Sequence, residues 1–196
     1  YNLLNYKQSI KKMKICYLSN SAIGSYYASS IQIVKMCEAF SSRKKVDLIV
    51  NHNFEKWEVL KRNYNLKKKI NIISLNNFKT TNFFFRVING YKTFKLVRKN
   101  HYKIILSRNI LTSTILAFFG IKNILEIHTE LTGLTKKIFY FFFKKTQKNL
   151  KFIFIHKELN NFFNLKKNFI VLDDAINLKE FENLKNKTVK NKFVYT

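Results

Sequence analysis

Glu126-Ile127-His128 sets a carboxylate and an imidazole two residues apart inside an otherwise apolar run. On a β-strand that spacing sends both side chains to one face. A carboxylate in apolar surroundings needs a partner, and a histidine at a strand end can act as a general base or a hydrogen-bond donor. A histidine held there for structure alone has the same spacing. His52, His101 and His156 carry less support, and no two histidines are spaced like metal ligands. Ser19 to Ser30 is a loop of small residues that includes Gly24 and Ser25 and leads into a helix start. Such a loop can leave backbone N–H groups open to an anion. It holds a single glycine, so it is neither a dinucleotide-binding GxGxxG fingerprint nor a P-loop. Arg108 reads by itself as an ordinary surface charge, since one cation among thirty-seven Lys and Arg carries little signal. Asp173-Asp174 reads as a turn, since neighbouring carboxylates on a strand point to opposite faces.

The elements that would position these groups follow from hydropathy. Apolar runs occur at Ile15–Leu18, Val46–Val50, Ile70–Ile73, Ile104–Leu106, Ile124–Ile127, Phe152–Ile155 and Phe169–Leu172. They are short, β-branched or aromatic, and mostly continuous, as strands buried on both faces are. Between them the period changes. Ile33, Met36, Cys37 and Phe40 fall at i, i+3, i+4 and i+7 after Ser29 and Ser30, which can cap a helix. Phe54–Tyr64, Asn82–Lys99, Asn109–Phe119, Thr135–Leu150 and Leu178–Leu184 also read as helices, with Gly120 placed for a left-handed helix end. The alternation predicts a doubly wound, mostly parallel Rossmann-like sheet of about seven strands with right-handed crossovers. Ligands of such sheets bind at the carboxyl ends of the strands. Ser19, Asn20 and the loop to Ser30 with Gly24 and Ser25, then Ser107, Arg108, His128, His156, Asp173 and Asp174, all follow a run and therefore gather on that rim.

Composition bounds the classes. A chain of 196 residues, at about 150 per domain, allows one sizeable domain or a domain with an arm. At 46% hydrophobic and 16% aromatic it can bury a core, which excludes disorder of the whole. Four glycines and no proline exclude collagen-like, Gly-rich-linker and Pro-rich classes. Cys16 and Cys37 sit in apolar runs without a CxxC pair, which suits a reducing compartment and excludes a disulfide framework. Thirty-seven Lys and Arg against eleven Asp and Glu leave a net charge of +26. Saturation in Lys, Asn, Ile and Phe is what AT-rich coding produces, so part of that charge is background. The rest points to a polyanion or an anionic membrane surface. No run reaches the roughly 20 apolar residues of a membrane span, and Tyr1–Lys14 lacks a secretory pattern. A start at Tyr rather than Met suggests a fragment.

Several segments in order resemble the N-terminal half of a family-four glycosyltransferase of the GT-B architecture. Lys14–Ser19 followed by Ala28–Phe40 is similar to that family's first strand, loop and first helix. Ile105-Leu-Ser-Arg-Asn109 resembles its fourth-strand end and Leu125-Glu-Ile-His128 its Glu-x-His strand. Phe152–Leu159 matches a strand and helix where members usually carry serine, so His156 departs from the pattern. Val171–Asn177 resembles a Pro-Asn-Gly-Val-Asp segment with Ala175 in place of the glycine.

The resemblance implies a Rossmann-like acceptor-side domain over residues 1–185, a linker over 186–191, and the first strand of a missing C-terminal domain over 192–196. It implies retaining transfer of a sugar from a nucleotide-sugar co-substrate to a glycan or lipid-linked acceptor, with no other cofactor and no metal. Glu126 and His128 would then be catalytic, and Gly24, Ser25 and Arg108 would lie near the donor phosphates. The donor domain would be absent, so the chain by itself should bind acceptor without turnover. Phe83–Arg86 and Phe139–Lys145 mix aromatics with cations, as helices lying on anionic lipid do. That pattern fits a cytoplasmic protein peripheral to the membrane. Aromatics in the core with solvated lysines give the same pattern. The rival function is a basic nucleic-acid-binding module. Against it, the aromatics do not alternate with Lys and Arg on one sheet face, and no RNP-like or helix-turn-helix pattern occurs, so nucleic acid is not the expected partner.

Overall fold

A computed structural model describes residues 14–51, 54, 56–76 and 82–172. The seven apolar runs form strands β1 (Lys14–Ser19), β2 (Lys45–Val50), β3 (Asn71–Ser74), β4 (Ile104–Ser107), β5 (Asn123–Ile127), β6 (Leu150–Phe154) and β7 (Phe169–Val171). All of them pair in parallel, in the order β3-β2-β1-β4-β5-β6-β7. Between them lie helices α1 (Ala28–Ser41), α2 (Trp57–Asn63), α3 (Phe83–Asn100), α4 (Ile110–Phe118), α5 (Gly133–Thr146) and α6 (Leu159–Phe163). The Rossmann-like sheet expected from the alternation is therefore present.

Two-residue periodicity splits each central strand between two cores. Ile15 and Tyr17 of β1 pack with Ile33, Val34 and Cys37 of α1. Cys16 and Leu18, on the other face, pack with Phe94 and Val97 of α3 and Leu116 of α4. A third cluster joins Leu125, Ile127, Phe152 and Phe154 to Phe139 of α5 and Phe163 of α6. Burying one such side chain completely contributes about 1.5–3 kcal/mol. The central strands are held from both sides, and this explains why they read as unbroken apolar runs.

The element ends show where local chemistry wins. Asn109 caps α4, its Oδ1 accepting the Thr112 N–H at 3.1 Å. At the far end Gly120 takes φ +80°. Its N–H bonds Ala117 O at 3.1 Å and the Ile121 N–H bonds Leu116 O at 2.9 Å, a Schellman end that needs the left-handed residue. Three expectations shift. Ser29 and Ser30 lie inside α1 rather than before it, and Ser30 is fully buried with its hydroxyl donated to Ala22 O at 2.9 Å. Helix α2 is shorter than Phe54–Tyr64, beginning at Trp57 after the extended Lys56. Helix α5 starts earlier, at Gly133, and gives way to a 3₁₀ turn over Gln147–Asn149, because Leu150 is drawn into β6 opposite Asn123. The expected helix Leu178–Leu184, the linker 186–191, the strand 192–196, His52 and Asp173-Asp174 lie outside the described residues.

Cys16 and Cys37 are both buried and free. Burial pushes both thiols well above their ordinary range.

Candidate functional site

The direction of strand order reverses between β1 and β4. In an open α/β sheet that is where the loops part and leave a crevice at the carboxyl edge. Register then selects which side chains meet there. Tyr17 lies opposite Leu106, and Leu106 opposite Ile124. Arg108 and Glu126 each stand two residues beyond that row, so both share the face of Tyr17 one step nearer the carboxyl rim. His128 stands two further along β5's path.

Four hydrogen bonds converge on the Glu126 carboxylate. Its Oε1 accepts from Arg108 Nη2 at 2.6 Å, Arg108 Nε at 3.1 Å and His128 Nε2 at 2.6 Å. Its Oε2 accepts the Tyr17 hydroxyl at 2.8 Å. Burial by itself would raise this carboxyl. The bonds from His128 and Arg108, the Arg108 charge and the Tyr17 hydroxyl outweigh it and hold the group at about 2. An ionised carboxylate only accepts, so His128 Nε2 must carry the proton it shares. In a neutral imidazole the lone pair would then lie on Nδ1, which has no partner among the described residues. The His128 side chain is 23% exposed against 7% for Glu126, so the imidazole is the member of the pair that solvent reaches more.

Arg108, expected near a donor phosphate, is engaged by Glu126 and Gln32. Its side chain is 9% exposed and turned inward, with Nη1 donating to Gln32 Oε1 of α1 at 2.9 Å and the other nitrogens on Glu126. The physical reason is the buried carboxylate, which attracts the nearest guanidinium more strongly than solvent does. The small-residue loop also closes on itself. The Gly24 N–H donates to the Tyr64 hydroxyl at 2.7 Å, and that hydroxyl donates to Ser25 O at 2.6 Å. The Ser25 N–H bonds Ala22 O at 3.0 Å, and its hydroxyl meets that of Ser30 at 2.9 Å. Gly24 takes φ 103°, a conformation that glycine adopts without strain, and its N–H is taken by Tyr64.

Sequence reasoning placed Asn20 on this rim but missed the amide row it forms with Asn51 and Asn109. Asn20, Asn51 and Asn109 each follow the end of a strand, and the first accepts from the other two. Asn109 Nδ2 donates to Asn20 Oδ1 at 2.7 Å, and Asn51 Nδ2 donates to the same oxygen. The orientation is fixed from below. Because Asn109 Oδ1 takes the backbone N–H of Thr112, its Nδ2 must face Asn20, and Asn20 must present its oxygen inward. The two N–H groups of exposed Asn20 therefore face outward at the rim. Tyr26 and Tyr27, in the loop just before α1, are also highly exposed. The signal available was the recurrence of Asn within two residues of a strand end, and Tyr17 as the one polar aromatic in an aliphatic strand.

The other titratable groups fall elsewhere. His156 pairs with Glu158 at 2.9 Å on the surface, and His101 ends α3 in a left-handed conformation. Asp47 is buried near the amino edge among Lys14, Asn71 and Tyr102, where hydrogen bonds outweigh burial and lower its carboxyl. Among the described residues no group of three or more His, Cys, Asp or Glu is arranged to hold a metal ion.

No protein-family profile matches the chain, and no curated protein matches it in sequence. Solved structures do match. A glycosyltransferase from Rickettsia africae ESF-5 superposes with a TM-score of 0.62 at 12% identity over 89% of this chain. MurG from Acinetobacter baumannii superposes with a TM-score of 0.51 at 6% identity over 86%. The chain spans about half the length of each, 47% in both cases. The likeness is one of fold: a Rossmann-like parallel sheet as in the N-terminal half of a GT-B architecture.

Proposed function

We propose that the chain is the acceptor-binding domain of a glycosyltransferase that moves a sugar from a nucleotide-sugar to a glycan or lipid-linked acceptor. The observation that carries this reading is the His128–Glu126 couple at the carboxyl rim, with Nε2 held by an ionised carboxylate and Nδ1 without a partner among the described residues. An acceptor hydroxyl donating to Nδ1 would be held beside the anomeric carbon on the face from which the nucleotide departs, as retaining transfer requires. As the new C–O bond forms on that face, its proton passes to His128 and the nucleotide leaves with the electron pair of the broken bond. Asn20 supplies outward donors and Tyr26 and Tyr27 supply amphipathic rings for a saccharide lying along the rim. The nucleotide would be held by a second domain, in keeping with a chain that spans half of the structures it matches.

Saturation-transfer NMR of the chain with glucose, galactose, mannose and N-acetylglucosamine tests this. At least one sugar should bind, and His128→Ala should abolish the signal with the melting temperature unchanged. Absence of any saccharide signal, or a signal indifferent to His128→Ala, overturns the reading.

The acceptor end is consistent with work at an anionic membrane surface on the cytoplasmic side. Among the described residues no helix is long and apolar enough to cross a bilayer. A groove of about 210 Å³ between α3, α4 and α5 is walled by Phe83, Val87, Phe118, Phe119, Ile138 and Phe142. Beside it Phe84 is 68% and Phe141 80% exposed, while Phe139 of the same run is core. Arg86, Lys144 and Lys145 lie on the same helices, so apolar insertion and attraction to acidic headgroups act together.

A further inference from the structure

Parallel pairing brings the residue before every strand to one edge, opposite the rim that holds His128. Lys103 precedes β4, Lys122 precedes β5, and Lys148 and Lys151 flank the start of β6. With Asn149 and Asn168 these four lysines line a cleft of about 340 Å³ that has no carboxylate in its wall. Asp47, a buried acidic group toward that edge of the sheet, is already held by Lys14 at 2.7 Å and by Asn71 and Tyr102. None of the four lysines has an anionic partner among the described residues. Ammonium groups crowded around one concave surface repel each other and focus a positive potential that a multivalent anion relieves. Lysine is a compact point charge suited to phosphate oxygens, and the volume matches the lower end of small-molecule sites, about 300–1,000 Å³.

We propose that the amino edge of β4, β5 and β6 is a binding site for a small multivalent phosphate anion, separate from the His128 rim. The five residues of β5 put the two edges roughly 16 Å apart at about 3.3 Å per residue. Binding here therefore stands or falls independently of sugar transfer.

The test is isothermal titration of the full chain with inorganic tripolyphosphate at physiological salt. Saturable one-to-one binding is expected. Lys122→Gln/Lys148→Gln should weaken it about tenfold, as loss of two partly solvated ion contacts implies. Lys61→Gln/Lys157→Gln removes the same charge from other surfaces and should leave affinity unchanged. All four are exposed lysines, so folding is not at risk. Unsaturable uptake, or equal weakening in both double variants, would mean only the diffuse field of a +26 chain and would overturn the proposal.

Discussion

The Arg108 guanidinium and the Glu126 carboxylate meet at 2.6 Å with both side chains less than a tenth exposed. Eighteen residues separate them in sequence, and the β4–β5 pairing brings them together. A pair so enclosed is costly to break from one side, since the survivor keeps a buried charge without its counterpart. Glu126→Gln should cost about 3–5 kcal/mol. Adding Arg108→Met should recover part of that loss, giving a coupling of about 0.5–3 kcal/mol in a double-mutant cycle measured by urea denaturation. Strict additivity would show that the two side chains do not interact.

Stability should fall in acid with a sign fixed by the same carboxylate. Glu126 titrates at about 2 when folded against an ordinary 4.5, so between those values the unfolded chain binds the extra proton. The contribution is complete above about pH 4.5 and disappears as pH falls toward about 2. Asp47 is also lowered and acts in the same direction. The difference between wild type and Glu126→Gln isolates the first group. Urea midpoints at pH 5, 4 and 3 should converge as pH drops, and parallel curves would contradict the assignment.

Vesicle flotation tests the helix face. Recovery with phosphatidylglycerol-containing vesicles should exceed recovery with phosphatidylcholine alone, because cations and exposed rings lie on the same helices. Phe84→Ser/Phe141→Ser should reduce it several-fold without lowering the melting temperature, since both rings are largely exposed. Equal recovery with neutral and acidic vesicles would remove the membrane from the reading.

Much of the fold was legible in the chain because its signals are local. Continuous runs such as Ile124–Ile127 mark strands buried on both faces, and the 3.6-residue spacing of Ile33, Met36, Cys37 and Phe40 marks a helix against them. Gly120 could be assigned to a helix end because only its backbone was at issue. Where tertiary contacts compete with local preference, the reading shifted. Ser30 entered the helix and was buried, and Leu150 left its helix for β6.

By itself, the sequence determined a parallel Rossmann-like sheet and the Glu126–His128 pair on one strand face, because strand periodicity is a property of consecutive residues. Tertiary structure alone decided the partners of that pair. Tyr17, 109 residues away, and Arg108 reach Glu126 only because β1, β4 and β5 lie side by side. Arg108 consequently became the internal counter-ion of a buried carboxylate rather than an open cation. The orientation of Asn20 and the crowding of four lysines at the opposite edge have the same origin. Parallel pairing aligns strand ends that are remote in sequence, and no spacing rule records which ends will be neighbours.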